Sequence, residues 1–509
     1  MPYVCLGDFL NALADSGDLV RITAAVDAVL ELAAITEQVS KSAPDGGPAI
    51  LFSNVRSGGW PVVTNLLGNP RRLARALGVQ SLDQASLMGS TANAADTPSG
   101  WWNVLRWGAS NPAESRFTPK AVRQAPCQQV VKLGRDVNLW ELPVPRHWPL
   151  EPNPSFTAGL VVTPGEADDV TLSRAPLQLI DRQRLLPHWP ADTTVWRQVQ
   201  AARAARRQLP VAIILGGDPL LQIAAAATDW TGLPPGYLWP GSLRGESLTV
   251  VKCRSHDLLV PAEAEIVLEG FDDPDAAWES LIGLGLATGY GIEEALAPVI
   301  QITAVTHRAG PVLPTIVPAP PPNEETWIRH AVDRLFLPAI RQLSPDIIEF
   351  HRPVSGARQQ LAFVSVRKPR PHAARSVMHA IWGCPGLRDV KMIVVVDAAI
   401  NPQHEAAVWN AAALHVDPRR DVVLADGPTS ADDHAAVVRG VSGKLGLDAT
   451  AKRPDERHPR VWPQPLEFTD ETWQQVAGRW SEFGLPAEWG TRTTHSVFPA
   501  PSPSGRGLG

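Results

Sequence analysis

The stretch ESLIGLGLATGYG, Glu279 to Gly291, is the first part of the sequence whose residue types could carry chemistry. Glycine-rich loops bind phosphate when they follow a strand and their glycines have the spacing of a dinucleotide fingerprint. Here the glycines at 283, 285 and 289 are spaced one residue too far apart, and no clear strand precedes them. The stretch therefore does not predict a nucleotide site, and Glu279 is its one carboxylate.

Three basic residues elsewhere could bind an anion or a metal. Arg174 in DVTLSRAPLQLI falls in a strand of alternating apolar residues, where an inward guanidinium needs an anionic partner to offset its desolvation. His188 in LLPHWP suits a metal or phosphate, although a packed, hydrogen-bonded histidine is the commoner case. Lys391 opens the strand KMIVVVD, where a solvated strand end is the simpler interpretation. Together these residues indicate an anion site.

Several function classes are excluded or disfavoured by what the sequence lacks. It has no G-x-S-x-G elbow, no H-E-x-x-H helix and no P-loop, which are the usual signatures of hydrolases, zinc proteases and NTPases. The net charge of -6 gives no reason to expect nucleic acid as a partner. The four scattered cysteines match neither a redox pair nor a zinc quartet, and no apolar run is long enough for a membrane span. We therefore expect a cytoplasmic protein with reduced thiols.

The elements that must position these residues fall into several regions. Residues 1–120 are predicted to form an α/β region, in which an amphipathic helix ends at Gly17 and a strand follows at Leu19 to Ile22. Residues 121–317 contain short β-rich runs. In VAIILGGDPLLQIAAAA a strand ends before a helix that Asp218 can cap and that Pro219 can begin.

The rest of the chain alternates between helix and strand patterns. The proline-rich stretch VPAPPPNEE, Val317 to Glu325, is interpreted as a linker to a C-terminal α/β region at residues 326–465. Residues 466–509 form an extension whose tail, PAPSPSGRGLG, is predicted to be disordered.

Several of these stretches resemble the UbiD family of prenylated-FMN-dependent (de)carboxylases. The resemblance is carried by LGDFLNALADSGDLVRI, VAIILGGDPLLQIAAAA, LRGESLTVVKCRSHDLLVPAEAEIVLEG, ITAVTHRAGPVLPTIV, KMIVVVDAAINP, VDPRRDVV and GVSGKLGLDAT. It implies a multidomain α/β fold, with an N-terminal α/β piece, a central split β-barrel that binds flavin and a C-terminal α/β dimerisation domain.

The resemblance also implies an activity and its partners. The expected reaction is non-oxidative decarboxylation of an aromatic, heteroaromatic or α,β-unsaturated carboxylic acid through a prenylated-flavin adduct. The implied cofactors are prenylated FMN, a manganese-like divalent metal and potassium. A flavin prenyltransferase is implied as the supplier of the prenylated FMN. A homodimer or higher homo-oligomer is implied as well.

Family positions carry over residue by residue. Arg174 matches the arginine that holds the substrate carboxylate, His188 the metal-binding histidine and Lys391 the lysine that contacts the flavin phosphate. Asp169 stands where the family has a cofactor- and metal-binding asparagine, and Gly236 stands where it has a metal-binding glutamate. The family's asparagine and glutamate together carry one negative charge, and so do Asp169 and Gly236 together. We therefore hypothesise that the metal-binding carboxylate has moved from position 236 to position 169.

The loop quoted first corresponds to the family's acid-bearing loop. With TGY, Thr288 to Tyr290, as the anchor, Leu286 stands at the proton-donating acid and Leu281 at the first acid. A two-residue insertion restores Glu279 as the first acid, but no alignment register restores the second.

Three functions stay open at this point. An active decarboxylase would need a replacement donor such as Glu279, Glu293, Glu294, a histidine or water. A catalytically impaired homologue would serve as a flavin-binding or structural subunit of a larger complex. An altered site would use another cofactor or ordinary FMN.

Overall fold

The structure of the protein is a computed structural model. It describes residues 3–88, 117–165, 169–190, 193–227, 230, 233, 236–286, 288–291, 294–354, 356, 360–430, 433–463, 466 and 468–486. Glu293, one of several candidates for the replacement donor, lies outside these residues, as does the C-terminal tail that is predicted to be disordered.

The described residues form a mixed helical and β-sheet protein. The helices, in chain order, are α1 (Leu6–Asp15), α2 (Glu31–Ser40), α3 (Pro70–Leu77), α4 (Ala85–Met88), α5 (Thr194–Ala204), α6 (Leu220–Ala226), α7 (Leu238–Arg244), α8 (Glu324–Leu343), α9 (Ala373–Trp382), α10 (Glu405–His415) and α11 (Asp470–Gly478). The strands are β1 (Leu19–Ile22), β2 (Ala49–Phe52), β3 (Val62–Thr64), β4 (Lys120–Val122), β5 (Val130–Leu133), β6 (Ser155–Phe156), β7 (Leu160–Pro164), β8 (Val170–Arg174), β9 (Leu177–Leu179), β10 (Arg184–Pro187), β11 (Leu209–Leu215), β12 (Thr249–Lys252), β13 (Leu259–Pro261), β14 (Ile266–Asp272), β15 (Glu279–Leu281), β16 (Ala295–Ala297), β17 (Ile300–His307), β18 (Leu313–Thr315), β19 (Ile347–His351), β20 (Leu361–Val366), β21 (Met392–Asp397), β22 (Val422–Pro428) and β23 (Val441–Asp448).

The N-terminal elements follow the sequence prediction. Helix α1 buries Phe9 and Leu13 on one face, and the chain turns at Gly17, whose φ of +73° suits glycine. Strand β1 then pairs in parallel with β2, in a four-stranded sheet of order β1-β2-β3-β18. Because β18 lies at the end of the β-rich region, this sheet joins the two ends of the first 317 residues.

A large sheet carries Arg174. Its strand order is β6-β9-β10-β17-β14-β11-β7-β8, with β5 paired to β17. The central strands are buried on both faces, since Val161 and Ile213 face one apolar cluster while Val162 and Ile214 face another. Strands β7 and β8 form an antiparallel pair in which Leu160 lies opposite Arg174.

The predicted helix start after β11 is also present. Asp218 Oδ1 accepts a hydrogen bond from the Leu220 N–H at 2.9 Å, and the helix begins at Leu220, one residue later than predicted. Gly216 and Gly217, with φ of +76° and +101°, make the turn between strand and helix.

The C-terminal part is an α/β sheet as predicted, with order β19-β20-β21-β23-β22. Strands β20, β21 and β23 are parallel, whereas the two edge strands are antiparallel to their neighbours. By its internal contacts the chain divides into two compact units, one of residues 1–339 with 354–359 and one of residues 340–353 with 360–509. The first unit includes both the N-terminal and the β-rich regions.

Two further findings concern the cysteines and the length of the apolar helices. The four cysteines form no disulfide. None of the helices in the described ranges is both long and apolar enough to cross a membrane.

Candidate active site

Arg174 ends β8 with its side chain largely buried, and the structure supplies the anionic partner that this burial requires. Its Nη2 donates to Glu325 Oε2 at 2.5 Å, and the other Glu325 oxygen accepts from Arg329 Nε at 2.8 Å. The side chains of Arg174 and Glu325 are 10% and 3% exposed. Burial alone would raise the pKa of Glu325, but the charges of Arg174 and Arg329 hold this pKa below its usual value. Glu325 is therefore ionised.

The preceding residue, Glu324, is a buried carboxyl group of a different kind. Its Oε1 accepts from the Leu67 N–H at 2.7 Å, whereas its Oε2 is buried and has no hydrogen-bond partner among the residues that the structure describes. Burial raises the pKa of Glu324 to about 7, against the opposing effects of the Leu67 N–H, Arg72 and Arg174. The pKa of Glu324 is thus raised, whereas that of the adjacent Glu325 is lowered. The raised pKa suits Glu324 to hold a proton near neutral pH.

The start of α8 places both acids. Asn323 Oδ1 accepts from the Thr326 N–H at 3.0 Å, and Thr326 Oγ1 donates back to the Asn323 carbonyl at 2.8 Å. This capping arrangement begins the helix at Glu324, where the helix dipole favours negative charge. We interpreted this stretch of the sequence as a linker, and that interpretation missed two buried acids.

The loop quoted at the outset contacts the same helix start. The Asn323 Nδ2 donates to the Leu286 carbonyl at 3.0 Å. Gly289 has a φ of +73°, and a Cβ there would lie 2.5 Å from the Pro320 nitrogen. The loop position that would hold the proton-donating acid in the family is therefore in contact with the residue before Glu324.

Glu279, the loop acid retained in the sequence, has a different partner. Its Oε1 accepts from Arg184 Nη1 at 2.5 Å, and Arg184 also pairs with Asp181. The Glu279 side chain is 40% exposed, so this pair is largely solvated. Glu294 accepts a hydrogen bond from the exposed Ser280 hydroxyl. The structure therefore joins Arg174 to Glu325 and joins Glu279 to Arg184.

Asp169 and Gly236, the two departures from the family pattern, lie against each other. A Cβ added to Gly236 would lie 2.2 Å from Asp169 Oδ1, so a side chain at 236 and this carboxylate cannot share the space. Burial raises the pKa of Asp169, and the Val170 N–H, 2.8 Å from Oδ1, opposes it. Among the residues that the structure describes, no ion pair includes Asp169, and a half-buried carboxylate of this kind fits a divalent cation.

His188 follows β10, and its backbone N–H donates to the Pro176 carbonyl at 2.9 Å. Its backbone is therefore adjacent to the residues that follow Arg174, and the residue is half-buried.

Lys391, in the second compact unit, donates from Nζ to both Asp433 oxygens at 2.9 Å. Lys391 is thus ion-paired rather than simply solvated, and a phosphate would have to share it with Asp433.

The surroundings of Glu324 explain its pKa. It borders a small cavity of about 20 Å³ whose walls include Leu66, Leu160, Thr315 and Ile316. This volume is enough for about one water molecule. The carboxyl group therefore meets mostly apolar atoms on its unpartnered side.

Comparison with known proteins identifies the family. Models of the N-terminal, Rift-related and C-terminal domains of 3-octaprenyl-4-hydroxybenzoate carboxy-lyase match residues 10–90, 120–321 and 326–449. A protein of Archaeoglobus fulgidus is 34% identical over 488 residues, which is 95% of this chain and 99% of the relative. One of Aquifex aeolicus is 32% identical over 487 residues, again 95% and 99% of the two chains.

Solved structures agree with this assignment. The UbiD-class enzyme HmfF from Pelotomaculum thermopropionicum in complex with FMN has a TM-score of 0.73 and 28% identity, over 92% of this chain and 99% of that one. Vanillic acid decarboxylase of Sedimentibacter hydroxybenzoicus in its closed form shares the fold, with a TM-score of 0.80 and 23% identity over 96% and 100% of the two chains. Domain order, sequence identity and fold agree, and the chain belongs to the UbiD family of carboxy-lyases.

Proposed function

We propose that this protein is a prenylated-FMN-dependent decarboxylase of an aromatic, heteroaromatic or α,β-unsaturated carboxylic acid, whose proton-handling acid is supplied by the start of α8. Family membership supports the reaction class, and an evolved dimeric HmfF, 27% identical to this chain, was solved in complex with prFMN. The observation that carries the proposal is the buried Arg174–Glu325 pair beside the buried acid Glu324.

Arg174 is suited to orient the substrate. A guanidinium has five N–H donors in a planar fork, and Glu325 takes only one of them at 2.5 Å. The remaining donors can hold a substrate carboxylate while Glu325 keeps the arginine in position. Carbon dioxide then leaves as a neutral molecule, and the electron pair of the broken bond stays with the substrate carbon that is afterwards protonated.

Glu324 is suited to move the proton. With a pKa of about 7 it is protonated in roughly half of the molecules at neutral pH, so it can both give a proton and take it back. In this proposal Oε2, which has no hydrogen-bond partner among the described residues, gives its proton to a water in the small cavity, and that water passes a proton to the carbon that has lost carbon dioxide. The acid would thus replace the donor that Leu286 removes from the loop.

The residues present also suit the implied cofactors. Prenylated FMN, when bound, would supply the electron sink for decarboxylation. Asp169 and His188 would hold a divalent metal, and Lys391 would contact the phosphate. We extend the proposal to a homodimer that acts on a small carboxylic acid and receives its flavin from a flavin prenyltransferase.

The catalytically impaired homologue is the second candidate. It is favoured by leucine at positions 281 and 286 and by the pairing of Glu279 with Arg184 instead of Arg174. In that case the protein would bind flavin as a subunit of a larger complex and would not turn over acids.

One experiment separates the two candidates. The full chain is co-expressed with a flavin prenyltransferase, and the bound chromophore and metal are recorded. Solvent deuterium incorporation into the decarboxylated products of candidate aromatic and acrylic acids is then measured. We expect bound prenylated flavin and deuterium incorporation in the wild type. Bound prenylated flavin without incorporation for any acid would support the impaired homologue. A colourless, metal-free protein would contradict the proposed cofactor.

Matched glutamine variants then assign the acid. Glu324→Gln should retain the flavin and lose deuterium incorporation by about 10²- to 10⁴-fold, the usual contribution of a positioned proton donor. Glu279→Gln serves as the control and should stay close to wild type. The opposite result would return the proton-handling role to the loop.

A further inference from the structure

A cluster of metal-ligating side chains lies away from the residues discussed so far, where the turn between β12 and β13 packs on β14 and β11. Cys253, His256 and Glu269 each offer one ligand atom, and these atoms lie within 4.8 Å of one another. Cys253 is 6% exposed, Glu269 is fully buried and His256 is half-buried. Two of the three ligands belong to the turn and the third to the sheet.

Glu269 is a buried carboxylate that lacks a cationic partner. Its Oε2 accepts from the Ser255 N–H at 2.7 Å and from Ser255 Oγ at 2.9 Å, whereas its Oε1 is buried and no described residue forms a hydrogen bond with it. Within the described part of the chain, no ion pair includes Glu269. A fully buried carboxylate without a counter-charge is costly, and a bound cation would offset that cost.

His256 presents a ring nitrogen prepared for a metal. Its Nε2 lies 3.1 Å from the Val211 carbonyl, a contact that is a hydrogen bond only when Nε2 carries the proton. The other nitrogen, Nδ1, then has a free lone pair, and it is buried without a partner. A backbone carbonyl that fixes the tautomer in this way is a common outer partner of metal-binding histidines. Burial lowers the pKa of His256, which favours the neutral ring that a metal requires.

The dimensions and charges fit a zinc ion. Because the three ligand atoms lie within 4.8 Å of one another, an ion placed between them would be at most about 2.8 Å from each. Bonds from zinc to such ligands are about 2.0–2.3 Å long. Side-chain adjustments of roughly half an ångström would therefore close the site. A thiolate and a carboxylate carry two negative charges, which match those of the ion. Without an ion, burial raises the pKa of Cys253, and the thiol keeps its proton.

We propose that Cys253, His256 and Glu269 bind a zinc ion that fastens the β12–β13 turn to β14, with the fourth position open to water. The C-x-x-H spacing of Cys253 and His256 is the local part of this site. Glu269 is added by the sheet, at a β-bulge that changes the pairing register between Glu269 and Gly270. This site is independent of the proposed decarboxylase function.

Cobalt titration of the purified full-length protein tests the proposal, because a thiolate ligand produces a charge-transfer absorption in the near ultraviolet. We expect this band to saturate at about one equivalent of Co²⁺ and to disappear when Zn²⁺ is added in competition. Cys253→Ser should abolish the band. His256→Ala should weaken cobalt binding by more than the roughly 10- to 100-fold typical of losing an outer-shell partner.

Controls distinguish this site from other metal binding. Cys384→Ser removes a buried thiol of the second compact unit and should leave the band unchanged. Asp169→Asn should also leave it unchanged, since a metal on Asp169 and His188 has no thiolate ligand. Wild-type protein without the band, or a band that persists in Cys253→Ser, would overturn the proposal. If Cys253→Ser does not fold, the His256→Ala variant tests the proposal, because His256 is only half-buried. Unchanged cobalt affinity in His256→Ala would overturn the proposal as well.

Discussion

At the scale of single residues, the informative comparison is between Glu325 and Glu279. Both accept from an arginine at 2.5 Å, but the Glu325 side chain is 3% exposed and that of Glu279 is 40% exposed. The Coulomb attraction between solvated charges is weak, whereas an unpaired buried charge is costly. The same bond length therefore implies different energies at the two sites.

This difference predicts the effects of two glutamine substitutions on stability. Glu325→Gln leaves Arg174 buried without its counter-charge and should lower the free energy of unfolding by about 3–5 kcal/mol. Glu279→Gln should lower it by less than about 1 kcal/mol. Chemical denaturation of both variants measures the two values, and equal losses would contradict the burial argument.

Glu324 predicts a pH dependence of stability. Its pKa rises from 4.5 to about 7 on folding, so between these values the folded state binds more protons than the unfolded state. Stability must then fall as the pH rises from about 4.5 to about 7, by an amount on the order of 3 kcal/mol. Glu324→Gln should remove this contribution. Unfolding free energies of wild type and variant, measured across this range, should converge at low pH and differ in slope above it.

At the scale of elements, the entry to β8 and the turn before α7 face each other through Asp169 and Gly236. A Cβ at 236 would lie 2.2 Å from Asp169 Oδ1, so a side chain there would have to displace the Asp169 carboxylate. This geometry supports the hypothesis that the metal-binding carboxylate has moved between elements while the charge of the site stayed constant.

A reciprocal exchange tests that hypothesis. Asp169→Asn should reduce the bound divalent metal, and Gly236→Glu alone should destabilise the fold because of its contact with Asp169 and its φ of +50°. The double variant Asp169→Ala/Gly236→Glu removes the side chain that a Cβ at 236 would contact, and it should recover part of the metal. Elemental analysis of the purified variants provides the measurement, and unchanged metal in Asp169→Asn would reject the hypothesis.

At the scale of the whole molecule, exposed apolar side chains indicate where a second copy could bind. On the edge hairpin of β22 and β23, Leu424 and Val441 are 79% and 52% exposed. Exposed apolar residues of this kind mark interaction surfaces when they cluster. The resemblance to the family implied that the C-terminal region carries dimer contacts, and this hairpin is where we expect them.

We therefore expect light scattering to give a mass of about twice the 54.9 kDa of one chain. Leu424→Arg should shift the population towards the monomer, because a charge at the interface would be desolvated without a partner. Leu296→Arg, at a position 64% exposed in the first unit, is the matched control and should leave the dimer intact. An unchanged dimer in Leu424→Arg would place the interface elsewhere.

Local patterns in the sequence determined the family and most of the elements. Apolar periodicity, a capping aspartate and turn glycines predicted α1, β1 and the β11–α6 unit, since each depends on neighbours in the chain. The sequence also placed Leu286 at the position of the family's proton-donating acid and retained Glu279. Arg174 could be identified as a residue in need of an anion, but that anion could not be named.

Only the tertiary structure decided which acid meets Arg174. Glu325 lies 151 residues away in the chain, in a stretch whose prolines predicted a linker. The contact of Asp169 with Gly236 likewise depends on how β8 and a distant turn pack. Periodicity reports which face of an element is buried, whereas contacts between distant elements are set by the packing of the whole unit. Local sequence therefore identified the elements, and packing chose the partners within the site.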